Sequence, residues 1–168
     1  ARLPQNFLAQ AWELGLAVAA IPEKYNGAAM ERSAVTGALL LEELGTGDLS
    51  MALAMLAPAS FAYPILDYGT DAQKDKWLPL CTAASFPKLT AALCEPSMDF
   101  DPTALGCRAR KQGGDYVLTG RKCFVPNGGS ADAFIVYARE SDGEGFEHVQ
   151  AFIVPRDTQR LAISEKEK

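Results

Sequence analysis

The chain has 168 residues, 48% of them apolar and 22% charged, and 21 Asp/Glu against 16 Lys/Arg give a formal charge of −5. This is ordinary globular composition and argues against disorder. The acidic balance, with no Lys/Arg cluster to track phosphates, argues against nucleic acid as a partner. Folded compactly, a chain of this length buries about 70% of its unfolded surface, enough for one domain or two small ones.

In chain order, Pro4 suits a first helical turn. Phe7, Leu8, Ala11, Trp12 and Leu14 come next at helical spacing, Gly15 ends the helix, and residues 16–21 form an apolar exit. Residues 22–27 read as a turn-rich loop in which Asn26-Gly27 suits positive φ. Ser33 is placed to cap a second helix with the stripe Val35, Ala38, Leu39, Leu41 and Leu44, which Gly45 is expected to end. Asp48 reads as the N-cap of a helix over 49–57 that Pro58 stops or kinks. Residues 61–68 form a further helical piece ending at Gly69. Thr70 or Asp71 starts an amphipathic helix over 72–80, with Trp77, Leu78 and Leu80 inward and Lys74, Asp75 and Lys76 outward. The apolar run 51–66 contains Pro58, Ser60 and Pro64, so it reads as too short and broken to span a bilayer. No secretory signal pattern opens the chain.

At residues 85–88 helical spacing gives way to alternation. Strands are predicted over 89–94, 104–110, 116–125, 133–138 and 149–154. Leu105, Cys107 and Ala109 face one side of the second, Arg108 and Arg110 the other. The turn Lys111-Gln112-Gly113-Gly114-Asp115 makes a hairpin of the second and third strands. Residues 141–147 read as an acidic, solvated hairpin loop. Helices followed by strands are the α+β order, with a helical domain over 1–86 and a β-domain over 87–168 joined near Phe86-Pro87. Glu95-Pro96 halts the first strand, since proline cannot donate to a ladder. Cys81, Cys94, Cys107 and Cys123 form no Cys-x-x-Cys pair, and His148 is the one histidine. Those spacings argue against a metal site and for thiols acting as small buried hydrophobes in a reducing compartment.

One stretch carries more. Ala91-Ala-Leu-Cys-Glu-Pro96 is followed by Leu118, Gly120, Lys122, Asn127-Gly128 and Ala131-Asp132. This order resembles the middle β-domain of the acyl-CoA dehydrogenases: Ala-x-x-(Thr/Ser)-Glu-Pro, then Gly-Ser-Asp, then Leu-x-Gly-x-Lys-x-Trp-Ile-(Thr/Ser)-Asn-Gly-x-x-Ala-Asp. The helical half is similar to that family's N-terminal domain through Leu14-Gly15-Leu16, Pro22-Glu23-x-Tyr25-x-Gly27, Glu42-Glu43-Leu44-Gly45-x-x-Asp48 and Tyr68-Gly69-Thr70-x-x-Gln73-Lys74. The resemblance runs from about Trp12 to Pro155.

It implies an α+β fold, an N-terminal all-helical domain followed by a mainly antiparallel β-barrel-like domain, here cut short. It implies FAD-dependent α,β-dehydrogenation of an acyl-CoA thioester: hydride to flavin N5, with the base in a C-terminal helical domain beyond this chain and no catalytic residue within it. Leu93, Cys94, Phe124, Val125 and Pro126 fall on the cofactor-binding positions and Phe100 on a substrate-binding one. Glu95 falls on a structural strand-end position. Three departures stand out: Cys94 replaces a Thr/Ser, Phe100 replaces the Ser of Gly-Ser-Asp, and Pro126 replaces a Thr/Ser, while Phe124 keeps an aromatic face. Each lost neutral hydrogen bond weakens a site by about 0.5–1.5 kcal/mol; the resemblance also implies a flavin held between the middle domain, C-terminal helices and a neighbouring subunit, so this chain, supplying one wall, is expected to bind neither FAD nor acyl-CoA tightly. A flavoprotein electron acceptor, a homo- or hetero-oligomer and a cytoplasmic or mitochondrial-matrix location are implied by the same resemblance. The alternative is a non-catalytic relative, a partner subunit or binding scaffold with a degenerate flavin site.

Overall fold

The structure, a computed structural model, describes residues 6–143 and 145–164. Pro4 and the start expected of the first helix lie outside them. The chain divides between Leu89 and Thr90 into two units.

In the first unit, α1 (Phe7–Glu13) ends as expected: Gly15 takes φ 67 and its N–H reaches the Trp12 carbonyl at 2.9 Å. In the apolar exit a 3-10 turn over Leu16–Val18 follows; Ala17, Val18 and Ile21 are buried, while Leu16 stays exposed. In the next loop Asn26 takes φ 62, and a Cβ on Gly27 would lie 1.9 Å from the Ile21 carbonyl oxygen, so only glycine fits. The Tyr25 hydroxyl donates to Asp75 at 2.7 Å, tying this loop to the last helix of the unit.

The long helix α2 (Ala34–Tyr68) is two helices meeting at Asp48, whose backbone is extended (φ −161, ψ 113). Ser33 caps the first at Thr36 N–H, and Asp48 caps the second at Met51 N–H (2.9 Å). Two expectations fail here. Gly45 does not end the first helix; the break falls at Asp48. Nor does Pro58 stop the second, which runs on through Pro58 and Pro64 to Tyr68. A proline inside a helix costs about 3 kcal/mol, but Met55, Phe61 and Ile65 are buried on that helix, and each contributes roughly 1.5–3 kcal/mol. Packing wins. The helix is thus long and apolar enough to cross a membrane by length and composition, with a mean hydropathy of 1.6 in its most apolar window; yet Phe61, Ala62 and Ile65 are buried within this unit.

Helix α3 (Asp71–Cys81) opens with a capping box: Gln73 N–H donates to Thr70 Oγ1 and Thr70 N–H to Gln73 Oε1 (2.8 Å). Leu78 and Cys81 face inward, and Trp77 meets Phe61 edge-on at 5.5 Å. Leu80, expected inward, is exposed; the inward stripe continues three residues beyond Leu78, to Cys81. The stripe predicted before Asp48 finds no core either, since Val35, Leu39 and Leu41 are exposed among the described residues.

The second unit is one mixed, mainly antiparallel sheet of β1 (Leu89–Ala92), β2 (Arg108–Gln112), β3 (Asp115–Thr119), β4 (Ala133–Arg139) and β5 (Val149–Pro155). β2 and β3 form the predicted hairpin around Gly113 (φ 65), with Gln112 opposite Asp115. β4 and β5 are antiparallel over their full lengths, β2 meets β4 in parallel at Arg108–Arg139, and β1 flanks β4. Leu105, Cys107 and Ala109, predicted to share one face, are all buried, and Cys107 and Ala109 pack with Ala138, Leu118, Val136 and Phe152.

Three predicted strands shift, the first ending at Ala92 rather than residue 94. The second starts at Arg108 rather than residue 104. The third ends at Thr119 rather than 125, because Gly120 (φ 157) carries the chain tightly over Cys107. A Cβ at Gly120 would lie 2.7 Å from Cys107 Cα.

Candidate functional site

Past the end of β1 the chain runs through Leu93, Cys94 and Glu95 to Pro96. Glu95 gathers donors from two other segments. Its carboxylate accepts Gly106 N–H (2.6 Å) and Cys107 N–H (2.8 Å) and pairs with Lys122 Nζ at 2.8 Å. Lys122 Nζ donates a second bond, to the Leu93 carbonyl at 2.9 Å. Both side chains are nearly buried, Lys122 10% and Glu95 11% exposed. Burial alone would push the Glu95 carboxyl up; the Lys122 ammonium and the Cys107 and Gly106 N–H groups outweigh it and hold Glu95 below the usual carboxylate range. A carboxylate so fully engaged is a structural tie, not an acid or base.

The tie brings a second segment alongside. Cys123 N–H donates to the Cys94 carbonyl at 2.9 Å, so residues 122–124 run beside 93–95. Phe124 then takes φ 48, in the left-handed region that bulky residues rarely enter, and leaves its ring 82% exposed. Strained backbone of this kind persists only where its surroundings over-determine it, and here the next turn does so. Gly128 N–H donates to the Val125 carbonyl and Ser130 N–H to that of Asn127. Arg156 clamps residues 129–132, its guanidinium donating to the Ala131 (2.9 Å) and Gly129 (3.0 Å) carbonyls and its N–H to that of Asp132.

Leu93 and Cys94 are thus brought beside Phe124, and Val125 and Pro126 continue the same turn, half-buried. Phe100 lies on a separate loop, also half-buried. Asp101 shapes that loop by accepting the N–H and hydroxyl of Thr103, which hold its carboxyl below the usual range. The Thr103 carbonyl in turn accepts Gly145 N–H at 3.0 Å. Sequence reasoning missed two contributors. Lys122 appeared only as a motif letter, and Arg156 carried no local signal for the carbonyls it reaches. Among the described residues no cluster of three or more His, Cys, Asp or Glu side chains could hold a metal ion.

This edge, with the exposed Phe124 ring on a segment hydrogen-bonded beside residues 93–95, suits the face and edge of a flat ring system. Its polar groups are backbone plus the Cys94 thiol, a weak donor, with no hydroxyl at 94, 100 or 126.

A helical unit followed by a mixed sheet that carries such an edge defines a class, and comparison with known proteins narrows it. Residues 1–85 match the family model for the acyl-CoA dehydrogenase N-terminal domain, and residues 90–168 that for the middle domain. The chain belongs to the acyl-CoA dehydrogenase family. Cyclohex-1-ene-1-carbonyl-CoA dehydrogenase of Geobacter metallireducens is 35% identical over 155 residues, 92% of this chain and 40% of that protein. Butyryl-CoA dehydrogenase from Megasphaera elsdenii superposes with a TM-score of 0.78 at 30% identity, over 98% of this chain and 44% of that one. An acyl-CoA dehydrogenase complexed with FAD from Bacillus anthracis gives 0.72 at 35% identity, over 96% and 27%. The chain spans about 40% of the length of the curated relatives it matches.

Proposed function

We propose that the chain is the N-terminal and middle portion of an FAD-dependent acyl-CoA dehydrogenase that oxidises the Cα–Cβ bond of an acyl thioester. The observation that carries this reading is the exposed Phe124 ring, held at φ 48 beside Leu93 and Cys94. In this role Phe124 lies against the flavin face and excludes water from it, while Leu93, Cys94, Val125 and Pro126 border its edge. Phe100 presents a ring, not a hydroxyl, to the acyl ligand. FAD, when bound, supplies the two-electron acceptor. Glu95 serves as a positioning residue: through Lys122 and the Cys107 and Gly106 amides it keeps the two edge segments together. The base that removes the α-proton is assigned outside this chain, since Glu95 is already committed. An acyl-CoA substrate, a flavoprotein electron acceptor, an oligomeric state and a cytoplasmic or mitochondrial-matrix location belong to the same reading. The three relatives compared, all called dehydrogenases, lend no support to a non-catalytic role.

The test is the protein at its native length. It is expected to be yellow, with a flavin spectrum that an acyl-CoA bleaches in the absence of oxygen. A colourless protein that neither takes up FAD nor alters any acyl-CoA overturns the proposal. The 168-residue chain alone is expected to give a flat flavin-fluorescence titration, because most small-molecule sites bury roughly 70–90% of the ligand and one face cannot. Micromolar binding would show instead that this face suffices.

A further inference from the structure

The hydrogen bond from Cys123 N–H to the Cys94 carbonyl fixes a register. One step forward from Cys94 and one step back from Cys123 lie Glu95 and Lys122, whose side chains meet at 2.8 Å. The bond and that contact match an antiparallel alignment of the two segments, neither of which is a regular strand here; in such an alignment opposed residues share a face and the adjacent pair takes the other. Glu95 and Lys122 hold the buried face. Cys94 and Cys123 therefore share the outer one, and both are half-buried rather than enclosed. Opposed residues in a hydrogen-bonded antiparallel pair lie about 5.5 Å apart at Cα, inside the roughly 4.4–6.8 Å over which a disulfide closes.

The other two cysteines differ. Cys81 and Cys107 are 0% and 4% exposed. Burial pushes both thiols up, Cys81 to about 12 and Cys107 despite the nearby Lys122 ammonium. Buried, protonated thiols are inert. No disulfide joins any of the four.

We propose that Cys94 and Cys123 form an oxidisable dithiol, a modification site for small-molecule disulfides on the outer face of this strand edge. One cysteine thiolate attacks a sulfur of oxidised glutathione, breaks its S–S bond and expels one glutathione thiolate, which takes up the proton. The second cysteine thiolate attacks the resulting mixed disulfide, forms the Cys94–Cys123 bond and expels the second glutathione. Two protein thiols lose two electrons, one reagent disulfide becomes two thiols, and these carry both protons away. Opposed strand Cβ atoms lie about 4.5–5.5 Å apart, wider than the roughly 3.8 Å a relaxed disulfide spans. The exchange runs backward when a small thiol attacks the protein disulfide, so the modification is reversible. The inference rests on the placement of the cysteines.

The experiment treats the folded protein with oxidised glutathione and blocks remaining thiols with iodoacetamide. Trypsin and Asp-N then separate Cys94 from Cys107, and the peptides are mapped by mass spectrometry without reductant. The expected result is one cross-link, Cys94 to Cys123, reversed by dithiothreitol, with Cys81 and Cys107 alkylated only after denaturation. C94S and C123S are each expected to retain a single glutathione on the remaining cysteine, with no internal link. Glutathione on Cys94 and Cys123 together, a link to Cys81 or Cys107, or no reaction at either half-buried thiol overturns the proposal.

Discussion

The two units hold themselves together by different means. The helical unit relies on local devices, namely the caps at Ser33, Asp48 and Thr70, and on the apolar packing of Phe61, Ile65 and Leu78. The β unit joins three separate stretches through one carboxylate, Glu95, which serves Lys122 and two backbone amides. Local devices fail one at a time, whereas a shared acceptor fails all its partners together. Substitution effects should therefore concentrate at one residue in the β unit and spread across many in the helical one.

The sharpest way to break this contrast is Glu95→Ala. It strands a nearly buried ammonium and two N–H groups, and removing one partner of a buried pair costs about 3–5 kcal/mol. Denaturant unfolding should show that loss in the β unit while the helical circular-dichroism signal persists; a loss below about 1 kcal/mol would remove Glu95 from its central place. Acid should act at the same point. Folding holds Glu95 below its unfolded pKa, so its contribution is complete above the unfolded value and fades as pH falls through the folded one. The β unit should weaken on the acid side of the carboxylate range, and Glu95→Gln should flatten that dependence.

In the helical unit, Thr70→Ala should cost about 1 kcal/mol, the usual worth of an N-cap, seen as a small drop in the denaturation midpoint. Leu39→Ser, on the exposed half of α2, should shift stability by no more than about 0.5 kcal/mol. A larger loss at Leu39 would mean that this face is covered in solution.

Legibility in the sequence divides along the same line. Caps and stops at Gly15, Ser33, Asp48 and Thr70 are readable because each depends on neighbours within three or four residues. Pro58 and Pro64 mislead because the packing that carries the helix through them comes from elsewhere in the unit. The third strand is overextended because nothing local announces that Gly120 must cross Cys107 closely. At the candidate site, Leu93, Cys94 and Phe124 are nominated by motif resemblance, which assigns positions without saying that a backbone bond sets the two segments side by side. Lys122 and Arg156 act through carbonyls distant in sequence, and no spacing rule points to them.

Asp48 also governs how disorder can travel. A 35-residue helix would form a rod of about 50 Å in which fraying at the solvent-covered end could propagate turn by turn toward Phe61. The extended backbone at Asp48 interrupts that path, and the side chain's bond to Met51 N–H begins a fresh helix behind it. Openings that start near Val35 should end there, and the buried half is expected to keep the slow amide exchange of the core to which it belongs.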